Sequence, residues 1–150
     1  KGVKRRFEKR GVYDGITLYE DFAHHPTAIL TTLAALRAQH PDRRIVAVVE
    51  PKSNTMRMGV HRDALRRSFD DADRVYVLAS RSLTWNPETT LAGLGAKMSV
   101  AWEVEKLVDE LLGELASGDQ VVLMSNGSFQ GLPRLLQQAL KGRGSSAAEA

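Results

Sequence analysis

Residues 16–49 read ITLYEDFAHHPTAILTTLAALRAQHPDRRIVAVV, and this stretch decides the fold class. Its apolar ends predict two β-strands, residues 16–22 and 44–49. The segment between them predicts a helix over residues 26–39, because proline is favoured in the first turn of a helix. A strand, a helix and a strand in this order are typical of an α/β domain with a largely parallel sheet.

The same alternation of apolar runs and helical spacing continues along the chain. The predicted strands are residues 6–13, 16–22, 44–49, 74–78, 97–100 and 120–124, and the predicted helices are residues 26–39, 60–72, 103–117 and 132–140. Asp14-Gly15 predicts a tight hairpin turn between the first two strands. We therefore expect a Rossmann-like, mostly parallel sheet of about six strands with helices on both faces, an N-terminal β-hairpin, and a disordered tail over residues 142–150.

The composition excludes several classes of protein. The 150 residues include no cysteine, which excludes a disulfide scaffold and thiolate chemistry. No apolar run approaches the ~20 residues of a membrane span. The net charge is +3, but the first ten residues hold six basic and one acidic side chain, so the remainder is nearly neutral and nucleic acid is not an expected partner. Because the chain begins with Lys1 inside this basic, strand-like run, we expect a segment of a longer polypeptide.

The loop after the second predicted strand, residues 20–27, is a candidate binding site. In open parallel sheets ligands bind beyond the carboxyl ends of the strands. Asp21 would suit ribose hydroxyls or a magnesium-bound water, and the neighbouring His24 and His25 could donate to phosphate at a helix N-terminus. Two alternatives remain open: Asp21 or Thr27 only caps the helix, or Asp21, the two histidines and His61 bind zinc or iron.

Two further loops leave predicted strands at the same edge. In residues 50–59, Lys52 and Arg57 would suit carboxylates. In residues 125–131, small side chains would let backbone N–H groups approach a ligand. The chain contains no P-loop motif. Solvated connections with ordinary turn residues are the alternative interpretation of both loops.

Taken together, these loops resemble the C-terminal domain of the Mur ligases, ATP-dependent enzymes of peptidoglycan synthesis. The resemblance rests on residues 2–8, 20–28, 50–56 and 125–129 and extends over nearly the whole chain, so it implies a Mur ligase C-terminal domain over residues 1–141. Within the family, the second and third loops look most like those of ligases that join L-alanyl-γ-D-glutamyl-meso-diaminopimelate to UDP-N-acetylmuramate in peptidoglycan recycling.

The resemblance implies a cytoplasmic bacterial enzyme that uses ATP and Mg²⁺ and forms an acyl phosphate on the muramate carboxylate, which the amine of the tripeptide then attacks. It also implies that the P-loop, most Mg²⁺ ligands and the UDP-sugar site belong to an N-terminal and a central domain absent from this chain. The domain would then supply part of the ATP site and the tripeptide site of the enzyme, and in isolation it would not catalyse the reaction. Neither a membrane nor a nucleic acid is an implied partner.

The resemblance also implies roles for individual residues. Arg6 and Asp21 would hold the ATP ribose, and His24 would lie near the phosphates or the reacting centre, with a catalytic role. His25 is a further nucleotide-binding candidate. The candidate residues for binding the tripeptide are Lys52, Ser53, Asn54, Thr55, Arg57, Ser125, Asn126, Gly127 and Ser128.

Three other functions remain open. The loop after Pro51 departs from the pattern of the UDP-N-acetylmuramate:L-alanine ligases, which favours a larger acceptor, but such a ligase is the nearest alternative. The others are a stand-alone nucleotide- or metal-binding α/β module and a metal hydrolase that uses His24 and His25.

Overall fold

The structure is a computed structural model that describes residues 6–52, 55, 59–125 and 127–149, with side chains up to Arg143. The strands are β1 (Glu8–Tyr13), β2 (Ile16–Asp21), β3 (Ile45–Val49), β4 (Arg74–Leu78), β5 (Met98–Ala101) and β6 (Gln120–Met124). The α-helices are α1 (Pro26–Gln39), α2 (Arg62–Arg67), α3 (Pro87–Thr90), α4 (Val104–Glu114) and α5 (Leu132–Glu149). Two 3₁₀ segments, Ala92–Lys97 and Phe129–Gly131, precede β5 and α5.

The strands form one six-stranded sheet in the order β1-β2-β6-β3-β4-β5. Only β1 and β2 pair antiparallel, as the hairpin at Asp14-Gly15 predicted, and the other described pairs are parallel. All five residues of β3 are buried, because helices cover the sheet on both sides. The fold class expected from the sequence is confirmed.

Alternate residues of the central strands face two separate hydrophobic cores. On one side Val46 and Val48 pack with the apolar stripe of α4 and α5, including Leu107 and Leu136. On the other side the remaining β3 residues pack against α1, α2 and the turn that follows α2. None of the helices in the described part of the chain is long and apolar enough to cross a membrane.

Two helices differ from the sequence-based expectation. Helix α2 was predicted over residues 60–72 but spans only Arg62–Arg67, because the His61 side chain caps its start and the backbone then tightens into bonds such as Phe69 N–H to the Arg66 carbonyl. The tail over residues 142–150 was predicted to be disordered, whereas α5 spans Leu132–Glu149 in the structure. Alanine and glutamate in this stretch favour helix, so a helix already anchored by buried Leu140 can propagate.

The hairpin turn requires glycine at position 15. Gly15 has φ +77°, and a Cβ atom there would lie 2.1 Å from Ser117 Oγ.

Gly15→Ala is therefore expected to lower the free energy of unfolding by about 2 kcal/mol, measured by chemical denaturation of the domain. Gly113→Ala is the matched control, because Gly113 lies in α4 with open space around it, and alanine there is expected to stabilise by up to about 1 kcal/mol. Equal stabilities of the two variants would contradict this account.

Candidate functional site

The three candidate loops start side by side at the carboxyl edge of the sheet. Strand β6 lies between β2 and β3, and its last residue, Met124, pairs with both Asp21 and Val49. The backbone continues this register beyond the strands: Ser125 N–H donates to the Asp21 carbonyl at 3.1 Å, and Glu50 N–H donates to the Met124 carbonyl at 3.0 Å. The sheet therefore brings together loops that are far apart in sequence.

The first loop forms one wall of a cleft of about 400 Å³. The lining residues are Arg6, Asp21, Phe22, Ala23, His24, His25, Ala28, Thr31 and Thr32. All four residues proposed from the sequence for the nucleotide line this one cleft, although Arg6 and His25 are exposed at its rim and Asp21 is buried at its base.

The Asp21 carboxylate is fixed by two hydrogen bonds. Its Oδ1 accepts from Ala23 N–H at 2.8 Å, and its Oδ2 accepts from Thr32 Oγ1 at 2.9 Å. An ionised carboxylate offers about four lone-pair directions, so these two bonds leave acceptor capacity on both oxygens. The side chain is thus held rigidly and can still accept hydrogen bonds from hydroxyl groups in the cleft.

The two histidines of this loop have different local roles. His25 Nδ1 accepts from Thr27 N–H at 3.4 Å and caps α1, so the cap is neither Asp21 nor Thr27. His24 Nδ1 lies 3.0 Å from the Phe22 carbonyl. Because a carbonyl only accepts, this contact favours the tautomer with the proton on Nδ1. His24 lines both the cleft and a small apolar cavity behind it, so it lies between the first loop and the second.

The second loop packs onto the rest of the site through Lys52 and Thr55. The Lys52 carbonyl accepts from Trp85 Nε1 at 3.0 Å and from Thr55 N–H at 3.3 Å. Thr55 is buried and lines the small apolar cavity with Trp85, which places its side chain inside the domain. Ser53, Asn54 and Arg57 lie outside the described residues.

The third loop turns tightly against the second. Ser125 Oγ accepts from Gly127 N–H at 3.0 Å and donates to Glu50 Oε1 at 2.6 Å. The Lys52 ammonium lies 3.3 Å from the position that a Cβ atom on Gly127 would occupy. Ser128 is exposed, and Asn126 lies outside the described residues. The two loops thus place the Lys52 ammonium next to the backbone turn at Gly127 and Ser128, beside the cleft.

The metal alternative finds no support in the geometry. His61 caps α2 and lies 3.8 Å from Asp63, with its side chain 72% exposed, and it does not line the cleft. Among the residues that the structure describes, no three histidine, aspartate or glutamate side chains come together as a metal site. The sequence placed Glu50 in the second candidate loop without giving it a role, and it did not indicate Thr32 or Trp85 as parts of the site.

Comparison with known proteins decides the family. The family model described as "Mur ligase, glutamate ligase domain" matches residues 5–127. The chain belongs to the Mur ligase family. A Mur ligase relative from Escherichia coli K12, UDP-N-acetylmuramate–L-alanyl-γ-D-glutamyl-meso-2,6-diaminoheptandioate ligase, is 41% identical over 139 residues. The match covers 92% of this chain and 30% of the relative, so the chain spans about a third of the length of such ligases. The UDP-N-acetylmuramate–L-alanine ligase of Symbiobacterium thermophilum is 35% identical over 152 residues, which cover 94% of this chain and 31% of that enzyme.

Solved Mur ligase structures show the same domain. The murein peptide ligase from Psychrobacter arcticus 273-4 superposes with a TM-score of 0.85 and 36% identity, over 92% of this chain and 30% of that one. A domain assigned to a UDP-N-acetylmuramate:L-alanyl-γ-D-glutamyl-diaminopimelate ligase of Haemophilus ducreyi 35000HP has a TM-score of 0.76 and 38% identity. The match covers 90% of this chain and 99% of the Haemophilus chain, so the corresponding domain folds without the rest of the enzyme.

Proposed function

We propose that this chain is the C-terminal, ATP- and peptide-binding domain of a ligase that joins L-alanyl-γ-D-glutamyl-meso-diaminopimelate to UDP-N-acetylmuramate. The observation that carries the proposal is the 41% identity to the Escherichia coli ligase of this name over 92% of the chain. In the whole enzyme, the sugar nucleotide would bind to other domains, and those domains would also supply most of the ligands of Mg²⁺. The proposed location is the bacterial cytoplasm.

The chemistry of the cleft fits the ribose of ATP. Asp21 has spare acceptor capacity at the base of the cleft, and the exposed Arg6 guanidinium lies at its rim. A fixed carboxylate accepts hydrogen bonds from ribose hydroxyls, and a guanidinium at the rim can donate to the ribose oxygens. ATP would supply the phosphoryl group that activates the muramate carboxylate. No magnesium site is assigned to this domain, because its described residues form no cluster of ligands.

The role proposed for His24 is supported by its place between the loops. The bond from Nδ1–H to the Phe22 carbonyl orients the ring, which borders both the nucleotide cleft and the small cavity behind the second loop. With the proton on Nδ1, Nε2 of the neutral ring accepts, so it is suited to take up a proton at the reacting centre; only the protonated ring can donate from Nε2 to phosphate oxygens. His25 would contribute to the rim of the cleft while capping α1.

The second and third loops are proposed to bind the tripeptide. Its carboxylates require cations or hydrogen-bond donors. Lys52 supplies a cation next to Gly127, and the exposed Ser128 supplies a hydroxyl, while the Gly127 N–H is already bound to Ser125 Oγ. The predicted contacts of Ser53, Asn54, Thr55, Arg57, Ser125 and Asn126 with the tripeptide stay predictions. For Thr55 and Ser125 the buried side chains favour support of the loops over direct contact.

Lys52→Ala in the full-length ligase is expected to raise the KM for the tripeptide roughly tenfold, because a charge-assisted hydrogen bond to a carboxylate is lost. The KM for ATP is expected to change less than about twofold, since Lys52 does not line the nucleotide cleft. Steady-state kinetics with each substrate varied in turn measures both values. Lys106→Ala is the matched control, because Lys106 is an exposed lysine on α4. Equal losses for both substrates would contradict an acceptor site.

The proposed activity itself is tested by comparing acceptors. The purified full-length ligase is supplied with ATP, UDP-N-acetylmuramate and either the tripeptide or free L-alanine, and the release of inorganic phosphate is measured. We expect a higher kcat/KM with the tripeptide. A higher value with L-alanine would assign the chain to the alanine-adding ligases, and no turnover with either acceptor would reject both functions.

A further inference from the structure

Glu50 and Ser125 join the second and third loops by a short hydrogen bond. Ser125 is 1% exposed, and its Oγ lies 2.6 Å from Glu50 Oε1 and 3.0 Å from Gly127 N. A carboxylate only accepts and a backbone N–H only donates, so the direction of both bonds is fixed. The Ser125 hydroxyl therefore makes its two hydrogen bonds within the protein, where it joins the end of β3 to the turn after β6.

Lys52 lies close to this bond, and its backbone is restrained on both sides. Only Pro51 separates Glu50 from Lys52, and the proline ring restricts the backbone between them. On its other side the Lys52 carbonyl accepts from Trp85 Nε1 at 3.0 Å. With its backbone held from two sides, Lys52 places its ammonium 3.3 Å from the Cβ position of Gly127. A larger residue than glycine at this point would occupy the space beside the cation.

We infer that Glu50 and Ser125 are positioning residues for the acceptor substrate. Their hydrogen bond fixes the spacing between the Lys52 ammonium and the Gly127–Ser128 turn, which together bind the acceptor's carboxylate. The pair acts through these neighbours and does not itself contact the acceptor. This inference rests on the proposed function, because it deepens the role of the same loops.

Glu50 and Ser125 are suited to this role because backbone hydrogen bonds to the neighbouring strands already fix both residues. Ser125 N–H donates to the Asp21 carbonyl, and Glu50 N–H donates to the Met124 carbonyl, so both residues continue the register of the sheet. The side-chain bond between Glu50 and Ser125 links the two loops beyond the ends of the strands. Removing this bond leaves the strands paired but no longer fixes the distance between the two loops. Binding of the acceptor should therefore weaken, while binding of ATP should not change.

Kinetics of the full-length ligase test the inference. Ser125→Ala and Glu50→Ala are each expected to raise the KM for the acceptor roughly tenfold, with the KM for ATP changed less than about twofold. The double variant is expected to be no worse than either single variant, because both remove the same bond. Glu50→Gln keeps an oxygen that accepts from Ser125 and is expected to stay within about threefold of wild type. Glu105→Ala removes an exposed carboxylate on α4 as the control.

Hydrogen exchange of the Gly127 amide in this domain gives a readout that needs no substrate. We expect faster exchange in Ser125→Ala, where the acceptor of this N–H is removed, and in Glu50→Ala, where Ser125 is no longer oriented. Unchanged exchange, or equal increases in the KM for ATP and for the acceptor, would overturn the inference. If the wild-type enzyme uses L-alanine instead of the tripeptide, the proposed substrate fails, while exchange and the KM for L-alanine still test the positioning role.

Discussion

Asp21→Asn in the full-length ligase is expected to raise the KM for ATP roughly tenfold or more and to leave the domain folded. The loss is expected because hydrogen bonds between ribose hydroxyls and a carboxylate are stronger than those to a neutral amide. The asparagine can keep both internal bonds: its Oδ1 accepts from Ala23 N–H, and its Nδ2 donates to Thr32 Oγ1, which now accepts. The substitution therefore removes the charge and preserves the shape of the cleft.

The measurement varies ATP at saturating concentrations of the other substrates and compares the thermal midpoints of the domain. Asp109→Asn is the matched control, because Asp109 is an exposed carboxylate on α4, away from the cleft. An unchanged KM for ATP would remove Asp21 from the nucleotide site. A collapse of the thermal midpoint would instead show that its charge is needed for folding.

The sequence predicted the regular elements where the pattern was long and unambiguous. Helix α1 begins and ends where proline and the apolar spacing placed it, and β4 and β6 match their predicted ranges. By contrast, α3 was missed because four residues are too few to show a helical period. The 3₁₀ segment Ala92–Lys97 contains two glycines and no buried residue, so no hydrophobic pattern marks it.

The placement of the three candidate loops followed from the sequence, but their internal contacts did not. Loops that leave neighbouring parallel strands start side by side, and the loops that contain Asp21, Lys52 and Gly127 do so here. The bond between Glu50 and Ser125 joins residues 75 positions apart and depends on β6 lying beside β3. No local pattern carries that strand order. The same holds for the cap of α1, where His25 takes the place that Asp21 or Thr27 could have filled.

A polar network that the sequence did not indicate stabilises the amino ends of the parallel strands, opposite the candidate site. Arg74 Nε and Nη2 donate to the two carboxylate oxygens of Glu114 at 2.7 and 3.0 Å, and Arg44 Nη1 donates to the same carboxylate at 3.3 Å. Arg44 also pairs with Asp119 at 2.7 Å, and the Tyr76 hydroxyl donates to Glu114. These residues tie the end of α4 to the amino ends of β3, β4 and β6.

Glu114→Ala is expected to lower the free energy of unfolding by about 2 kcal/mol, a value between those for exposed and buried ion pairs because both partners are partly exposed. Loss of the carboxylate leaves the half-buried Arg74 guanidinium and the Tyr76 hydroxyl without their main acceptor. Denaturant titration of the domain measures the change. Glu110→Ala, at an exposed position of the same helix, is the control. The KM values are expected to stay unchanged, because the network lies at the edge opposite the site.

The pH dependence of that loss identifies its cause. The hydrogen bonds from Arg74 lower the pKa of Glu114 below its ordinary value of 4.5, so the ionised carboxylate stabilises the fold above about pH 4.5, and the stabilisation disappears as pH falls through the lowered pKa. Wild type and Glu114→Ala should therefore converge in stability under acid. Burial, with a contribution from Glu114, raises the pKa of Tyr76 from 10.0 to about 12, so the wild-type fold should lose stability between these values as unfolded tyrosine ionises first. Tyr76→Phe should reduce this alkaline loss, and a smaller loss should remain because burial also raises the pKa of Tyr19. A stability difference between wild type and Glu114→Ala that persists well below the lowered pKa would assign the effect to packing and not to charge.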